Sequence, residues 1–443
     1  MTHRPRHAGT AAAALGFAIT AAVATLGGAA FCMPACAQPA VTTYHNDASR
    51  TGWNPAETAL TVASVGGLHL QHSVVLDEQV DAQPLYVTHQ TISGQGAHEV
   101  VYVATEANTV YAVDAATGAI LLSRSLGGAV PASTTPGRCN NNAPVLGIQS
   151  TPAIDVSSGT MWVISYTFES NHPVYRLHAL DLSSLADKMP SRVVTASATL
   201  ADGSAHVFDA FASRQRSALL FENGNIYAGF ASFCDIRADL SRGWVLGWNA
   251  ATLAPLPANE LTNKVVGAPH NFYLSSVWMS GDGLAASGPG GAIFFTTGNA
   301  DPSGTTFNNT TNLAESYVKL SSDLSTVLGH FTPSDESALD KTDEDFGSGG
   351  STLLPTAVAH GAALAVAAGK DGNMFLMNTA SLGGYHPGGA NNVIATSNIG
   401  PCWCGPSYFT GADGRGRVVS SGASDVMVWK LNDYGLLAAA SAP

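Results

Sequence analysis

The residues with the most chemical capacity lie in one acidic loop and two short phrases. Asp343, Glu344 and Asp345 stand in DKTDEDFGSGG, residues 340–350. Asp oxygens alternating among glycines are the donors a hard cation takes, and here the calcium-loop signature is met in part. The same composition also makes an ordinary solvated loop. Asn299 ends Thr297-Gly298-Asn299, a phrase that either closes a turn or presents an amide oxygen. Lys370 precedes Asp371-Gly372, again a turn setting, and carries a cation into it.

Two further constellations are open. Cys139, Cys234, Cys402 and Cys404 remain once the first 37 residues are set aside, and four cysteines allow three pairings. Cys139 and Cys234 fall in loops of neighbouring repeats and are the favoured pair. Cys402-Trp403-Cys404 either closes a small ring, stays reduced or offers zinc half of a site that no nearby Cys/His pair completes. The histidines show no metal-ligand spacing, and His178 reads as a structural residue. No GxSxG, HExxH or phosphate-binding loop occurs. A Ser–His–Asp triad is defined by space and not by spacing, so a hydrolase or lyase built on loops stays a third reading.

The elements that must position these groups are short strands. Residues 100–127, VVYVATEANTVYAVDAATGAILLSRSLG, read as three strands separated by polar and Gly turns, a meander. Degraded copies follow from residues 150, 217, 277, 351 and 408, giving six in all. Their central strands lie roughly 50–70 residues apart, wider than the usual propeller-blade period of about 40–50, so the connecting loops are long. The richest are 131–148, 267–277, 301–314 and 332–350, where binding and chemistry belong. Trp162, Trp244, Trp248, Trp278 and Trp429 fall on predicted strands as packing residues. Trp53 and Trp403 fall in loops and are free to face a ligand. The expected fold is an all-β propeller of four-stranded blades, six of them visible. The sixth copy stops after three strands, so residues 68–76, LHLQHSVVL, are expected to supply its outer strand and close the ring. The tail 433–443 reads as too weak for another blade.

Composition narrows the partners. The 443 residues are 45% hydrophobic and 12% charged. Arg4 and Arg6, an Ala-rich apolar run and Ala35-Cys36-Ala37 make residues 1–37 a signal peptide, with a membrane anchor as the alternative reading. Residues 38–67 then form an extended segment before the propeller at 68–432. Removing residues 1–37, which hold no Asp or Glu, takes the net charge from −13 to −15. That balance, with no basic cluster, disfavours nucleic acid and anionic membrane. The expected location is secreted or periplasmic, with no membrane-spanning segment after cleavage.

The phrases VYAVDAATG, YRLHALDLSSL and GKDGNMFLMN resemble the repeats of pyrroloquinoline quinone (PQQ) dehydrogenases and their non-catalytic relatives, over most of residues 44–431. The resemblance implies a propeller, in complete relatives of seven or eight blades. It also implies a site in which PQQ and Ca²⁺ lie at the axis. Asn299 then matches the TGN asparagine that ligates the metal. Asp343 and Asp345 match the Asp-x-Asp phrase, with Asp343 as base or ligand and Asp345 as ligand. Lys370 matches the cation on the quinone oxygens. In such a site the metal is a Lewis acid, the carboxylate takes the alcohol proton, and the lysine stabilises charge on the cofactor. Two departures stand out. Only Cys139, followed by three asparagines, represents the bridged cysteine pair of the enzymes. Ala238 falls where a metal-binding Glu precedes Arg242-Gly243, with Asp239 one position off.

Two functions follow. The first is an exported binding or scaffold module, for a protein, glycan or small molecule, with a degenerate quinone site. The alternative is a PQQ- and Ca²⁺-dependent alcohol or sugar dehydrogenase. The enzyme reading requires Asn299, Asp343 and Lys370 to converge.

Overall fold

A computed structural model of the chain describes residues 40–443 except 140–142, 357–360, 424, 433–434 and 439–443. Residues 1–37, expected to be a signal peptide, lie outside the described residues. Among the described residues six sheets of four or five strands follow one another along the chain, each built on a meander of antiparallel strands, with two small two-stranded sheets beside them. The first comprises Leu85–Ile92, Gly96–Ala104, Thr109–Asp114 and Ile120–Ser125. The second begins at Ala153–Asp155, the third at Leu220–Glu222 and the fourth at Ala285–Ala286. The fifth begins at Ser351–Leu354 and the sixth at Ser407–Thr410. The fourth sheet gains a fifth strand, Gly384–Tyr385, in parallel beside Val327–Thr332. One short α-helix, Glu336–Thr342, interrupts the pattern among the described residues.

The core is divided among the sheets. Five buried apolar clusters each lie between two consecutive sheets. Alternation along a strand supplies both neighbours of a sheet. Phe295 packs toward the third sheet while Phe294 packs toward the fifth. Phe375 faces the fourth sheet while Met374 faces the sixth. Strands buried on both faces explain runs such as MWVIS and AIFF, which show no polar alternation.

The N-terminal segment ties the sheets together. Val41 exchanges backbone hydrogen bonds with Tyr86 at 2.8 and 2.9 Å. The carbonyls of Thr42, Ala48, Ser49 and Thr51 accept from Ile154, Ala286, Leu353 and Tyr408, at 2.7–2.8 Å. These four donors lie on the first strands of the second, fourth, fifth and sixth sheets. Arg50, fully buried, completes the set by donating to Leu219 O at the third sheet and Leu284 O at the fourth.

Two expectations are corrected. Residues 68–76 form no strand; they lie against the first sheet, where His72 Nε2 meets Ala116 O at 2.7 Å. The sixth sheet, whose outer strand they were expected to supply, is completed from elsewhere in the chain. The sixth copy does not stop after three strands: Gly435–Ala438, in the tail read as too weak for another blade, supplies the fourth. It turns back directly on Met427–Asn432, and a tight hairpin holds a strand that a remote segment would have to find through a long loop.

Candidate functional site

The second strand of a sheet ends where the first strand begins, because the two are antiparallel. At that end of the third, fourth, fifth and sixth sheets the loops enclose a cleft of about 490 Å³. Ala231–Asp235 follow the strand Asn225–Phe230, Gly298 and Asn299 follow Ile293–Thr296, and Lys370 follows Leu364–Ala368. Arg214, Ser276–Ser280, Asp343–Ser348 and Trp403 come from the segments entering the next first strands. Asn299, Asp343, Asp345 and Lys370, singled out in the sequence, therefore line one cleft.

Their contacts are specific. Asn299 N–H donates to Asp345 Oδ1 at 2.9 Å, and Asn299 Nδ2 donates to Asp343 Oδ1 at 3.2 Å. Lys370 Nζ pairs with both Asp343, at 3.3 Å, and Asp345. Burial lowers the Lys370 ammonium pKa, but the Asp345 and Asp343 carboxylates outweigh it, so the group sits above its ordinary value. Burial pushes Asp345 up despite Lys370. The floor is held from behind by carboxylates. Ala300 N–H donates to Asp340 Oδ1 at 2.8 Å, and Phe346 N–H donates to Glu315 Oε2 at 2.6 Å. Burial and then neighbouring carboxylates raise the pKa of both acids. Gly347 is required where the two loops touch, because a Cβ there would lie 2.3 Å from Gly298 N.

Sequence reasoning missed three lining groups. Arg214, almost fully buried, is aligned by Gln149 Oε1 at 2.8 Å and lies 5.0 Å from the Trp278 ring centroid. Trp278 was expected on a strand; it sits in the loop before the turn Met279–Gly281 and lines the cleft. Asp235 follows Cys234, and burial raises its carboxyl to about 6, with Asp345 and Asp343 adding to the rise and Ser232 opposing it. No spacing signal marks Asp235. Its backbone φ of 55° and those of Cys234 (48°), Ser280 (48°) and Asp343 (59°) place four non-glycine lining residues in the left-handed region. Such strain gathers at functional sites.

The remaining candidates lie elsewhere. Asp239 pairs with Arg237 at 2.8 Å, outside the cleft lining, and Ala238 is buried. Arg242 stacks over Tyr273 at 3.8 Å and bonds Val265 O. Trp53 packs edge-on against Tyr408, whereas Trp403 is exposed in the cleft wall. Cys139 and Cys234 are bridged, and so are Cys402 and Cys404, which removes the zinc reading of the CxC phrase. Trp162, Trp244, Trp248 and Trp429 are packed between sheets.

A Ser–His–Asp line does exist. Ser165 Oγ lies 3.2 Å from His178 Nε2, and His178 Nδ1 lies 3.0 Å from Asp187 Oδ1. Ser165 and His178 are buried inside the second sheet and line none of the described cavities. A larger hollow of about 620 Å³ between residues 59–76 and the first sheet is mainly apolar, with four Leu and four Val in its lining. Its His72 and Asp114 are already engaged with Ala116 O and His98.

A scan against protein-family models finds no match, and neither does a sequence comparison with curated proteins. Solved structures do match. The quinohemoprotein alcohol dehydrogenase ADHIIG from Pseudomonas putida HK5 aligns with a TM-score of 0.58 at 15% identity, over 88% of this chain and 56% of that one. A europium-containing methanol dehydrogenase aligns with a TM-score of 0.56 at 13% identity, over 90% of this chain and 72% of that one. The chain thus spans little more than half the length of the first. At these identities the likeness establishes the fold: sequential four-stranded sheets of the quinoprotein propeller type.

Proposed function

We propose that the six sheets are the blades of one propeller and that the cleft is the redox site of a quinoprotein-type dehydrogenase acting on an alcohol or sugar hydroxyl. The carrying observation is the convergence of Asn299, Asp343, Asp345 and Lys370 from three separate segments. The structural likeness to alcohol and methanol dehydrogenases favours the same reading.

The residues present fit PQQ by chemistry. A flat, anionic quinone finds an aromatic face in Trp278 and two cations in Arg214 and Lys370. A hard cation would draw oxygen donors from Asp235, Asp343 and Asn299 of the cleft lining, which among the described residues are not already gathered at ligand spacing; Asn299 Nδ2 is used by Asp343, and no described residue donates to its Oδ1. When bound, the quinone supplies the two-electron acceptor and the cation polarises its carbonyl. The chain's own residues do the rest. Asp343, with a side chain 66% exposed, is open to accept the proton of a substrate hydroxyl. Lys370 fixes the orientation of that carboxylate. Asn299 joins Asp343 to Asp345, keeping both carboxylates on one wall. The two disulfides suit an oxidising compartment, so secretion or a periplasmic location belongs to this proposal.

A binding module with a degenerate quinone site is the second reading, favoured by the pairing of Asp239 with Arg237 away from the cleft. Titration with PQQ, with and without CaCl₂, followed by tryptophan fluorescence and calorimetry, separates the two. Saturable binding that calcium strengthens and Lys370→Ala removes supports the dehydrogenase. No binding at high micromolar PQQ overturns it.

A further inference from the structure

Trp403 is 59% exposed, whereas Trp162, Trp244, Trp248 and Trp429 are all below 10%. A large aromatic left open in a cleft wall is the informative exception, because its apolar area is held ready for a partner. The backbone that carries it is also held. The Cys402–Cys404 bridge closes a ring around it, and that ring is tied to the segments bearing the cleft carboxylates and lysine. Cys402 N–H donates to Gly369 O at 3.1 Å, next to Lys370. Ser348 Oγ donates to Cys402 O at 2.9 Å, and Gly350 N–H donates to Cys404 O at 3.1 Å.

We infer that the bridged Cys402-Trp403-Cys404 loop is a positioning device that makes Trp403 the stacking wall for a neutral, hydroxyl-rich ring at the mouth of the cleft. The inference rests on the dehydrogenase reading for what happens to that ring, but not for its binding. The exposed rim acids Asp343 and Glu344 offer carboxylate oxygens that accept hydrogen bonds from the hydroxyls of a neutral ring. The C–H face of a pyranose covers an indole, while a short linear alcohol leaves most of it wet. With the backbone under the indole fixed before the ligand arrives, less freedom is lost on binding. The sugar branch of the proposed substrates is therefore preferred over small alcohols.

Saturation-transfer NMR with methyl β-D-glucopyranoside, without cofactor or added metal, tests this on four proteins. These are the wild type, Trp403→Ala, Trp403→Phe and the double variant Cys402→Ser/Cys404→Ser. Transfer to the ring protons is expected in the wild type. Kd is expected to weaken about tenfold in Trp403→Ala, stay within about threefold in Trp403→Phe, and fall between them in the double variant. Exposure of Trp403 lets both single variants keep the wild-type Tm. Equal affinity of Trp403→Ala and wild type, or no transfer in the wild type, overturns the inference. The PQQ titration is read separately. Glucoside binding without PQQ binding keeps the stacking wall and removes the dehydrogenase; the converse removes only the wall.

Discussion

The Lys370 ammonium reaches the Asp343 side chain at 3.3 Å and the Asp343 carbonyl at 3.1 Å, joining residues 27 apart in sequence. The contact spans the loop that enters the fifth sheet and the loop that leaves its second strand. The same ammonium pairs with Asp345, so one cation is shared by two carboxylates on one wall.

Lys370→Met removes that cation without changing side-chain length much. The largely buried Asp345 then loses its cation and keeps only the Asn299 N–H, and stability at pH 7 is expected to fall by about 1–2 kcal/mol. PQQ affinity is expected to drop at least about tenfold, since an oriented charge on the cofactor is lost. Lys370→Arg should recover part of both. Calorimetric titration checks the affinity and urea denaturation checks the stability. Unchanged PQQ affinity in Lys370→Met would remove the lysine from the site.

Ser165 and His178 have the distances of a hydrolytic triad but not its access. Burial lowers the His178 pKa against the pull of Asp187, and the imidazole is held as a neutral link within the second sheet. Ser165→Ala should cost about 1–2 kcal/mol by leaving a buried ring nitrogen without its partner. It should leave PQQ binding untouched. Wild-type hydrolysis of p-nitrophenyl acetate that Ser165→Ala abolishes would contradict the structural role.

How far the fold could be read depended on whether a signal was local. The runs MWVIS and GNMFLMN mark central strands because both faces are buried, and each lies on a strand between two apolar clusters. Strand Gly435–Ala438 carried little signal, since its place comes from a hairpin with Met427–Asn432 rather than from its composition. In the site, Asn299 and the Asp343–Asp345 pair were legible as phrases. Arg214, Asp235 and Trp278 were not, because they meet the cleft only through the antiparallel return of the strands before and after them. The role of residues 41–51 was equally silent, as its bonds, those of the Arg50 side chain apart, are made by backbone groups that any sequence carries.

His206 offers a pH signature of the fold. It stacks on Trp244 with centroids 5.8 Å apart, and burial, reinforced by Arg242, lowers its pKa to about 4. The unfolded chain takes up a proton as the pH falls through about 6.5, while the folded chain refuses it until about 4. Stability is therefore retained above pH 6.5 and declines across the window from 6.5 to 4. With part of the ring open to water, the loss is about 1–2 kcal/mol. His206→Phe keeps the stacking and removes this slope. Denaturation series at pH 7 and pH 4 should show a smaller difference for the variant, and equal differences would refute the assignment.

Arg50 is the most consequential single side chain for the assembly of the sheets. Its guanidinium donates to Leu284 O at 2.9 Å, Leu219 O at 3.0 Å, Tyr44 O at 2.9 Å and Thr43 Oγ1 at 2.7 Å. Burial lowers its pKa to about 10, although Asp282 and Asp47 oppose the shift, and it remains charged at neutral pH. Arg50→Met would leave those carbonyls short of a donor and the buried Asp282 without its nearby cation. Each orphaned group costs about 1–3 kcal/mol, so the sum approaches the whole stability of a typical domain, about 5–15 kcal/mol. Arg50→Met is expected to fail to fold or to unfold at much lower urea. Arg50→Lys keeps the charge but cannot reach four acceptors, and should fall between. A urea midpoint for Arg50→Met within experimental error of the wild type would mean that the backbone bonds of residues 41–51 hold the sheets without the arginine.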